Sequence, residues 1–207
     1  FRSEKNNIWK LNRHDLYMED FNSYIGRLDY SNFIQFAKAK GKVHVYHKKD
    51  FFIEQNKVSD RVGWIEAGAF RYMHTGENGK EHVVGYAFVG EFICDYSAFI
   101  YQNASLVSIQ AISECIVYQL SYQDIIAYWE TNMETLRFGK QTADALYETI
   151  FKRLLDVFCD SPEESYLKLM KRCPNLKEIV PLKEIASYLR VTPTTVSNIR
   201  RKITFED

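Results

Sequence analysis

The stretch from Pro181 to Ile203, PLKEIASYLRVTPTTVSNIRRKI, constrains the fold of this 207-residue chain more than any other. Four apolar residues of its first half share one helical face, namely Leu182, Ile185, Ala186 and Leu189. In its second half Thr192 is a suitable N-cap, Pro193 suits the first helical position, and Val196 and Ile199 form a buried stripe. The pattern predicts two short helices joined by a tight turn, a helix-turn-helix.

The second of these helices has an exposed face that is typical of DNA recognition. Short polar side chains come first and cations follow: Thr194, Thr195, Ser197 and Asn198, then Arg200, Arg201 and Lys202. Polar side chains of this size can read base edges, and cations bind phosphates. The alternative is an ordinary two-helix hairpin with a solvated basic end. Arg190 favours that alternative, because glycine accepts the positive φ of such a turn at lower cost.

Composition and charge bound the class of protein. The formal net charge is zero, but residues 1–150 carry 16 Lys and Arg against 19 Asp and Glu, whereas residues 151–207 carry 11 against 8. The basic excess therefore accompanies the predicted DNA-binding segment. The four cysteines (Cys94, Cys115, Cys159 and Cys173) form no C-x-x-C pair, and no apolar run reaches membrane-span length. We expect reduced thiols, no bound metal or cofactor, and a soluble cytoplasmic protein without a membrane partner.

Short strands dominate the region before residue 121. Segments rich in Val, Tyr and Phe cover residues 43–53, 61–65, 68–74, 81–89, 105–112 and 114–120, and a loop with two glycines covers 75–80. A helical pattern with Ile25, Leu28, Phe33, Phe36 and Ala37 as buried positions precedes them over residues 22–40, and a short helical turn is expected at 96–99. This order predicts a barrel or jelly-roll-like β-domain. Residues 1–17 are polar, and the native chain could start at Met18.

A long helix is predicted from Asn132 to Phe158, after a short one over residues 122–128. A seam with a mean spacing of 3.5 residues runs along it, interrupted by Gly139 and Arg153; its apolar members are Leu136, Ala143, Leu146, Ile150 and Val157. A second apolar face comprises Tyr147, Phe151, Leu154, Leu155 and Phe158. We expect one face to pack on the β-domain and the other on a second copy; a single-domain core helix is the alternative.

A break at residues 160–161 separates the long helix from the C-terminal part. Ser161 is a plausible N-cap, Pro162 a first helical residue, and a helix over 163–172 should supply Tyr166, Leu167, Leu169 and Met170 to a second small core. The predicted domains are a β-roll sensor domain over 18–121, a short helix and a dimerisation helix over 122–160, and a DNA-binding domain over 161–207.

This order of elements resembles the cyclic-AMP receptor and fumarate–nitrate regulator (CRP/FNR) family of bacterial transcription factors. The resemblance covers residues 22–203 and includes GEFICDYSAF at 90–99, AISECIVYQLSYQDI at 111–125 and the stretch 181–203. It implies an α+β fold: a jelly-roll-like β-roll of the cyclic-nucleotide-binding type, a long dimerisation helix and a winged-helix-like domain. It also implies a homodimer on palindromic double-stranded DNA, with RNA polymerase as an expected further partner.

The resemblance also assigns roles within the helix-turn-helix. Pro193, Thr194 and Asn198 match positions that meet base edges, and four residues match positions near phosphates, namely Lys183, Thr195, Arg200 and Arg201. Because proline has no side-chain donor, we expect Thr194, Ser197 and Asn198 to read the sequence. Thr192 and Lys202 complete the predicted DNA-binding set.

The effector region departs from the pattern of the nucleotide-binding family members. Their Gly-Glu and Arg-Ser pairs align with Cys94-Asp95 and Ser105-Leu106, so no arginine is available for a phosphate, and the purine positions align with Ile150 and Phe151. Burying a phosphate without a cation is costly, which argues against cyclic AMP. No cysteine precedes Cys94, which argues against an iron–sulfur cluster. The expected pocket comprises Phe92, Asp95, Tyr96, Ser105, Leu106, Tyr147, Ile150 and Phe151. Either another small ligand enters there, or none does and abundance sets activity.

Two rival functions remain open. One is a cyclic-nucleotide-controlled regulator of the same fold. The other is a metal-dependent jelly-roll enzyme, because His44, His47, His74 and His82 all fall in the strand region. His44 and His47 are three residues apart and should point to opposite faces of a regular strand, which argues against a shared metal. We therefore expect a regulator and not an enzyme.

Overall fold

Two four-stranded antiparallel sheets form the first part of the protein in the computed structural model, which describes residues 21–22 and 28–206. The strands are β1 (Lys42–Tyr46), β2 (Phe51–Ile53), β3 (Arg61–Ala67), β4 (Phe70–Thr75), β5 (Glu81–Ala87), β6 (Phe92–Ile93), β7 (Ser108–Ala111) and β8 (Cys115–Ser121). One sheet has the order β1-β8-β3-β6 and the other β2-β7-β4-β5. We call this body the roll. The possible start at Met18 and the predicted core residue Ile25 lie outside the described residues.

The two sheets enclose an apolar core. Its fully buried members include Ile65, Phe70, Ile109 and Val117. Gly63 lets the two sheets approach here, since a Cβ at this position would lie 3.0 Å from the ring of Phe52 in the other sheet. The predicted segment 43–53 proves to be two strands in different sheets, separated by a turn at residues 47–50. The strand predicted over 105–112 begins only at Ser108, since the preceding residues form a loop.

The predicted glycine-containing loop between β4 and β5 is confirmed. The Gly76 N–H donates to the Lys80 carbonyl at 3.0 Å, and the Gly79 N–H donates to the Gly76 carbonyl at 2.9 Å. Gly79 has a φ of 73°, which costs glycine little. The loop joins strands that pair from Phe70 with Ala87 to Thr75 with Glu81.

Eight helices lie within the described residues: α1 (Ser31–Lys40), α2 (Tyr96–Tyr101), α3 (Tyr122–Trp129), α4 (Met133–Cys159), α5 (Pro162–Arg172), α6 (Leu176–Ile179), α7 (Leu182–Tyr188) and α8 (Pro193–Glu206). Helix α1 begins later than the residue 22 predicted, although Phe33 and Ala37 are buried as expected. Helix α6 was not predicted. No helix of the described part is long and apolar enough to cross a membrane.

The long helix α4 contacts the roll through a face that differs from both predicted apolar faces. Ala145 and Thr149 are buried, and Phe138 packs edge-on against Tyr30 at 5.2 Å. Gly139 fits against α3, where a Cβ would lie 2.9 Å from the Trp129 indole nitrogen. Of the predicted seam, Leu136, Ile150 and Val157 are exposed, whereas Leu146 packs on the roll side.

The expectation that one apolar face of α4 would pack on the roll is therefore wrong for its second half. The predicted second face stays exposed there together with the seam: Tyr147, Phe151, Leu154, Leu155 and Phe158. The reason is that small or polar residues make the contact with the roll instead, which frees a broad apolar surface. We call this surface, with Leu136, Ile150 and Val157, the α4 face.

The C-terminal helices pack against the roll rather than standing apart from it. One buried cluster combines Phe21 and Tyr86 with Leu169, Leu176 and Ile185. Helix α5 starts at the predicted cap, because the Ser161 hydroxyl accepts the Glu164 N–H and the Glu164 carboxylate accepts the Ser161 N–H. Leu167, predicted as a core residue, is exposed instead. Within residues 160–206 the structure contains helices but no strand.

Candidate DNA-binding surface and effector region

Helices α7 and α8 form the predicted helix-turn-helix. Ala186, Val196 and Ile199 are buried together with Tyr166 of α5, and Val191 packs against this cluster from the turn. Arg190 has a φ of 59° and thus occupies the left-handed conformation that glycine usually takes. The turn is closed by the Val191 N–H, which donates to the Ala186 carbonyl at 2.9 Å. The arginine therefore does not prevent the motif from forming.

Thr192 caps the second helix. Its hydroxyl oxygen accepts the Thr195 N–H at 3.1 Å, which satisfies one of the free donors of the first turn. Pro193 follows as the first helical residue and lacks an N–H that would need a partner. The N-terminal end of α8 is thus capped and exposed.

The surface of α8 has the predicted order of polar and basic residues. Thr194 and Asn198 are exposed, Thr195 and Ser197 are half-buried, and Arg200 and Arg201 are exposed. Thr192, Pro193 and, at the start of α7, Lys183 are exposed as well. Lys202 differs, because its ammonium contacts both carboxylate oxygens of Glu163 at 2.9 Å. Its charge is therefore already paired with α5.

Helix α7 is attached to the roll by polar contacts as well as by the shared core. The Arg71 guanidinium of β4 pairs with the Glu184 carboxylate at 2.8 Å, and both side chains are largely buried. The Ser187 hydroxyl accepts the N–H of Val83, in β5, at 3.0 Å. Sequence reasoning missed this interface because partners more than a hundred residues apart show no local pattern. The helix-turn-helix is consequently held against the sheet.

A second buried network joins the N-terminal segment, the roll and α4. Asn22 donates its side-chain amide to Glu91 at 2.5 Å and accepts a hydrogen bond from Arg153 at 2.7 Å. The Glu91 carboxylate also accepts the Phe88 N–H at 2.9 Å. Burial raises the pKa of Glu91 to about 7, and these donors and Arg153 partly oppose that shift. The charged interruption of the predicted seam at Arg153 was the one sequence signal for this contact.

In the predicted effector region, Asp95 binds the groups that align with the phosphate-holding pair. Its carboxylate accepts the Ser105 hydroxyl at 2.8 Å and the Leu106 N–H at 3.1 Å. It also caps α2 by accepting the Ala98 N–H at 3.2 Å. Three donors are thus used by an internal anion, and a second anion placed here would be repelled.

The remaining predicted pocket residues differ in their surroundings and exposure. Phe92 lies in an aromatic cluster with Trp64 and Phe33, at centroid distances of 4.7 and 4.9 Å. Tyr96 is half-buried in α2. Tyr147, Ile150 and Phe151 are on the α4 face, where Tyr147 is 70% and Ile150 64% exposed.

Comparison with known proteins agrees with this architecture. Residues 43–132 match the cyclic nucleotide-binding domain family. FixK2 from Bradyrhizobium japonicum superposes with a TM-score of 0.68 at 14% identity, covering 80% of this chain and 85% of that chain. A putative transcriptional regulator of the CRP/FNR family from Eubacterium rectale superposes with a TM-score of 0.61 at 10% identity, covering 91% and 89%. This is the CRP/FNR fold.

A third structure with the CRP/FNR fold supports the same conclusion. The c-di-GMP-responsive global regulator CLP of Xanthomonas campestris superposes with a TM-score of 0.60 at 14% identity, covering 84% of this chain and 92% of that chain. No curated protein sequence matches this chain significantly. The predicted fold class, an α+β protein with a roll followed by helices, is thereby confirmed.

The histidines in the described part of the chain are not arranged as a metal centre. His47 contacts Glu114 at 2.8 Å, and His74 contacts the Leu106 carbonyl at 2.7 Å. Across residues 21–22 and 28–206, no group of three His, Cys, Asp or Glu side chains could hold a metal ion. The four cysteines form no disulfide, and burial raises the pKa of Cys94 to about 12 and that of Cys115 to about 11. These two thiols are therefore protonated at neutral pH.

Proposed function

We propose that the protein is a sequence-specific DNA-binding transcriptional regulator that acts as a homodimer. The observation that carries the proposal is the outer surface of α8. Thr194 and Asn198 are exposed on a capped, rigid helix, and Arg200 and Arg201 follow on its exposed side. Such a helix can enter the major groove with polar side chains towards base edges and cations towards phosphates.

The roles of individual residues follow from exposure and chemistry. Asn198 can form a bidentate pair with adenine, while Thr194 and Ser197 supply shorter contacts to bases. Lys183, Thr195, Arg200 and Arg201 contact phosphates, and Thr192 and Pro193 hold the start of the helix at the groove. Lys202 contributes less than the predicted set assigned to it, because its charge is paired with Glu163.

The α4 face is the proposed dimer contact. Nine large apolar side chains of α4, from Met133 to Phe158, are exposed in the single chain. An apolar surface of this extent on one helix is typical of a protein interface. Two parallel copies of α4 would bury Ile150 and its neighbours and present two α8 helices to a palindromic duplex. Domain limits at residues 121 and 160 are consistent with this division of roles.

The regulator is proposed to respond to a ligand other than cyclic AMP, or to act without one. A cyclic phosphate next to Asp95 would lack a cation and would face a carboxylate. The second candidate is a cyclic-nucleotide-controlled regulator, which the family match of residues 43–132 favours. Calorimetric titration with cyclic AMP and cyclic GMP separates the two, and micromolar binding of either nucleotide would favour the second.

The central test is selection of bound sites from random duplex DNA, followed by fluorescence anisotropy on the selected site and on a scrambled one. Asn198→Ala should lose discrimination by about 1–3 kcal/mol at one base position. Arg200→Ala should weaken both duplexes alike and lower the salt dependence by about one phosphate contact. Lys171→Gln, on an exposed position of α5, is the matched control for lost charge. Equal effects of Asn198→Ala and Arg200→Ala on both duplexes would contradict the assigned roles.

A further inference from the structure

A cleft of about 610 Å³ lies between the roll and the DNA-binding helices. Strand β5, the end of α4, helix α5 and the turn before α8 form its walls. Its charged lining residues are Arg153, Asp156, Asp160, Lys168, Arg172 and Arg190. The volume falls in the range of small-molecule sites. None of the residues of the predicted effector region belongs to this lining.

The charges of the cleft are unevenly paired. Lys168 contacts both carboxylates of the lining, Asp156 at 2.8 Å and Asp160 at 2.7 Å. One cation therefore contacts both acids of the lining. The lining also carries the positive charges of Arg153, Arg172 and Arg190. Within the described part of the chain, no carboxylate lies within 4.0 Å of the guanidinium of Arg153 or Arg172. The lining of the cleft therefore carries more positive than negative charge.

Arg153 and Arg172 both line the cleft and both contact the ring of Phe21. Both guanidinium groups lie over the ring of Phe21, at 5.1 and 5.9 Å from its centroid. The Nε atom of each is buried and has no hydrogen-bond partner. Among the described residues, Arg153 donates to the Phe21 carbonyl at 2.9 Å and to the Asn22 amide oxygen at 2.7 Å, and its charge also acts on the Glu91 carboxyl group. Each of these two half-buried cations thus has one buried donor without a partner, which is costly unless another group compensates it.

We propose that this cleft binds a small anion, a carboxylate or a phosphate monoester, with Arg153 and Arg172 as its cationic ligands. The planar guanidinium fork matches the geometry of both anions, and the ring of Phe21 orients the two forks. Arg153 belongs to α4 and Arg172 to α5, so the anion bridges the helix that carries the α4 face and the helix that packs under α8.

The regulatory consequence rests on the proposed function. An anion that ties α4 to α5 stabilises the orientation of the helix-turn-helix relative to the roll, and by linkage it changes the affinity for DNA. Anion binding itself requires no DNA. It can therefore be tested separately from the proposed role as a regulator.

The experiment is isothermal titration of the full chain with inorganic phosphate and, separately, with succinate, at fixed ionic strength in chloride. Wild type should bind at least one of the two anions saturably, and Arg172→Gln should bind it at least roughly tenfold more weakly. Binding in the phosphate arm identifies a phosphate ligand, and binding in the succinate arm a carboxylate. Lys171→Gln removes the same charge from the neighbouring position outside the cleft and should bind like wild type.

Arg172→Lys provides a variant that keeps the charge but loses the fork, and it should bind with intermediate affinity. Absence of saturable binding of both anions to wild type would overturn the proposal, and so would equal affinities of Arg172→Gln and Lys171→Gln. Anisotropy with the selected duplex then separates the two proposals. If the anion binds but no duplex does, the regulator assignment fails alone; if a duplex binds but neither anion does, the cleft assignment fails alone.

Discussion

Because the carboxyl group of Glu91 is buried, we expect the free energy of unfolding of the protein to fall as pH rises. Glu91 is 4% exposed and accepts hydrogen bonds from Asn22 and Phe88. Burial raises its pKa in the folded protein from 4.5 to about 7. Between these values the folded state binds more protons than the unfolded state, so the free energy of unfolding decreases with increasing pH. The loss begins near pH 4.5 and is complete above pH 7.

The size of the effect follows from the shift. By linkage, this group alone should lower the free energy of unfolding by about 2.5 kcal/mol between pH 5 and pH 8. Glu91→Gln keeps an oxygen acceptor for both donors but cannot ionise. Its free energy of unfolding should therefore change less with pH over this range and should exceed that of wild type at pH 8. Urea unfolding at both pH values, followed by tryptophan fluorescence, measures the difference.

Glu77→Gln, an exposed position in the loop between β4 and β5, controls for the general loss of a carboxylate. Its unfolding free energy should follow that of wild type at both pH values. If Glu91→Gln shows the same dependence on pH as wild type, the carboxyl group is already ionised in the folded state. The explanation by burial would then be refuted.

Three further results are expected. Ile150→Asp should dissociate the dimer in sedimentation at micromolar concentration, because it places a charge on the α4 face, whereas Gln141→Asp at an exposed polar position of α4 should not; an intact Ile150→Asp dimer would place the contact elsewhere. Val196→Ala should destabilise the folded protein by roughly 2 kcal/mol in thermal unfolding, since Val196 is fully buried between α7 and α8; an unchanged melting temperature would contradict that packing. Asp95→Ala should lower the free energy of unfolding by about 2–4 kcal/mol, because it removes the cap of α2 and the hydrogen-bond partner of Ser105 and Leu106. A loss below roughly 0.5 kcal/mol, which is the error of such measurements, would argue against these bonds.

Local patterns in the sequence predicted the elements of this fold well. The Ser161-Pro162 start of α5 and the Thr192-Pro193 start of α8 combine a cap with a residue that needs no N–H, so few other conformations compete. Helix α6 has only four residues, which is too short for a helical period to be visible. Helix α1 begins at Ser31. Phe21 packs with the C-terminal helices, a contact that no local pattern of the sequence indicates.

The functional surfaces were predictable only in part. Exposure of Thr194 and Asn198 follows from the position of the buried stripe of α8, which the sequence displays. The carboxylate of Asp95, the Glu91 network and the Arg153–Arg172 cleft depend on partners brought together by the sheets. Contacts over such separations leave no periodic trace in one sequence. An isolated charge within an apolar seam, as at Arg153, can indicate such a long-range contact.

The attachment of α7 to β4 and β5 has a consequence for how recognition can change. Because the Arg71–Glu184 pair and the Val83–Ser187 hydrogen bond fix the first helix of the motif, no free joint separates it from the sheet. In the proposed dimer, the distance between the two α8 helices would then depend on this attachment as well as on the contact between the two copies of α4. A variant of the proposed regulator with a different half-site separation would then be expected to carry substitutions in β4, β5 or α4, away from the residues of α8.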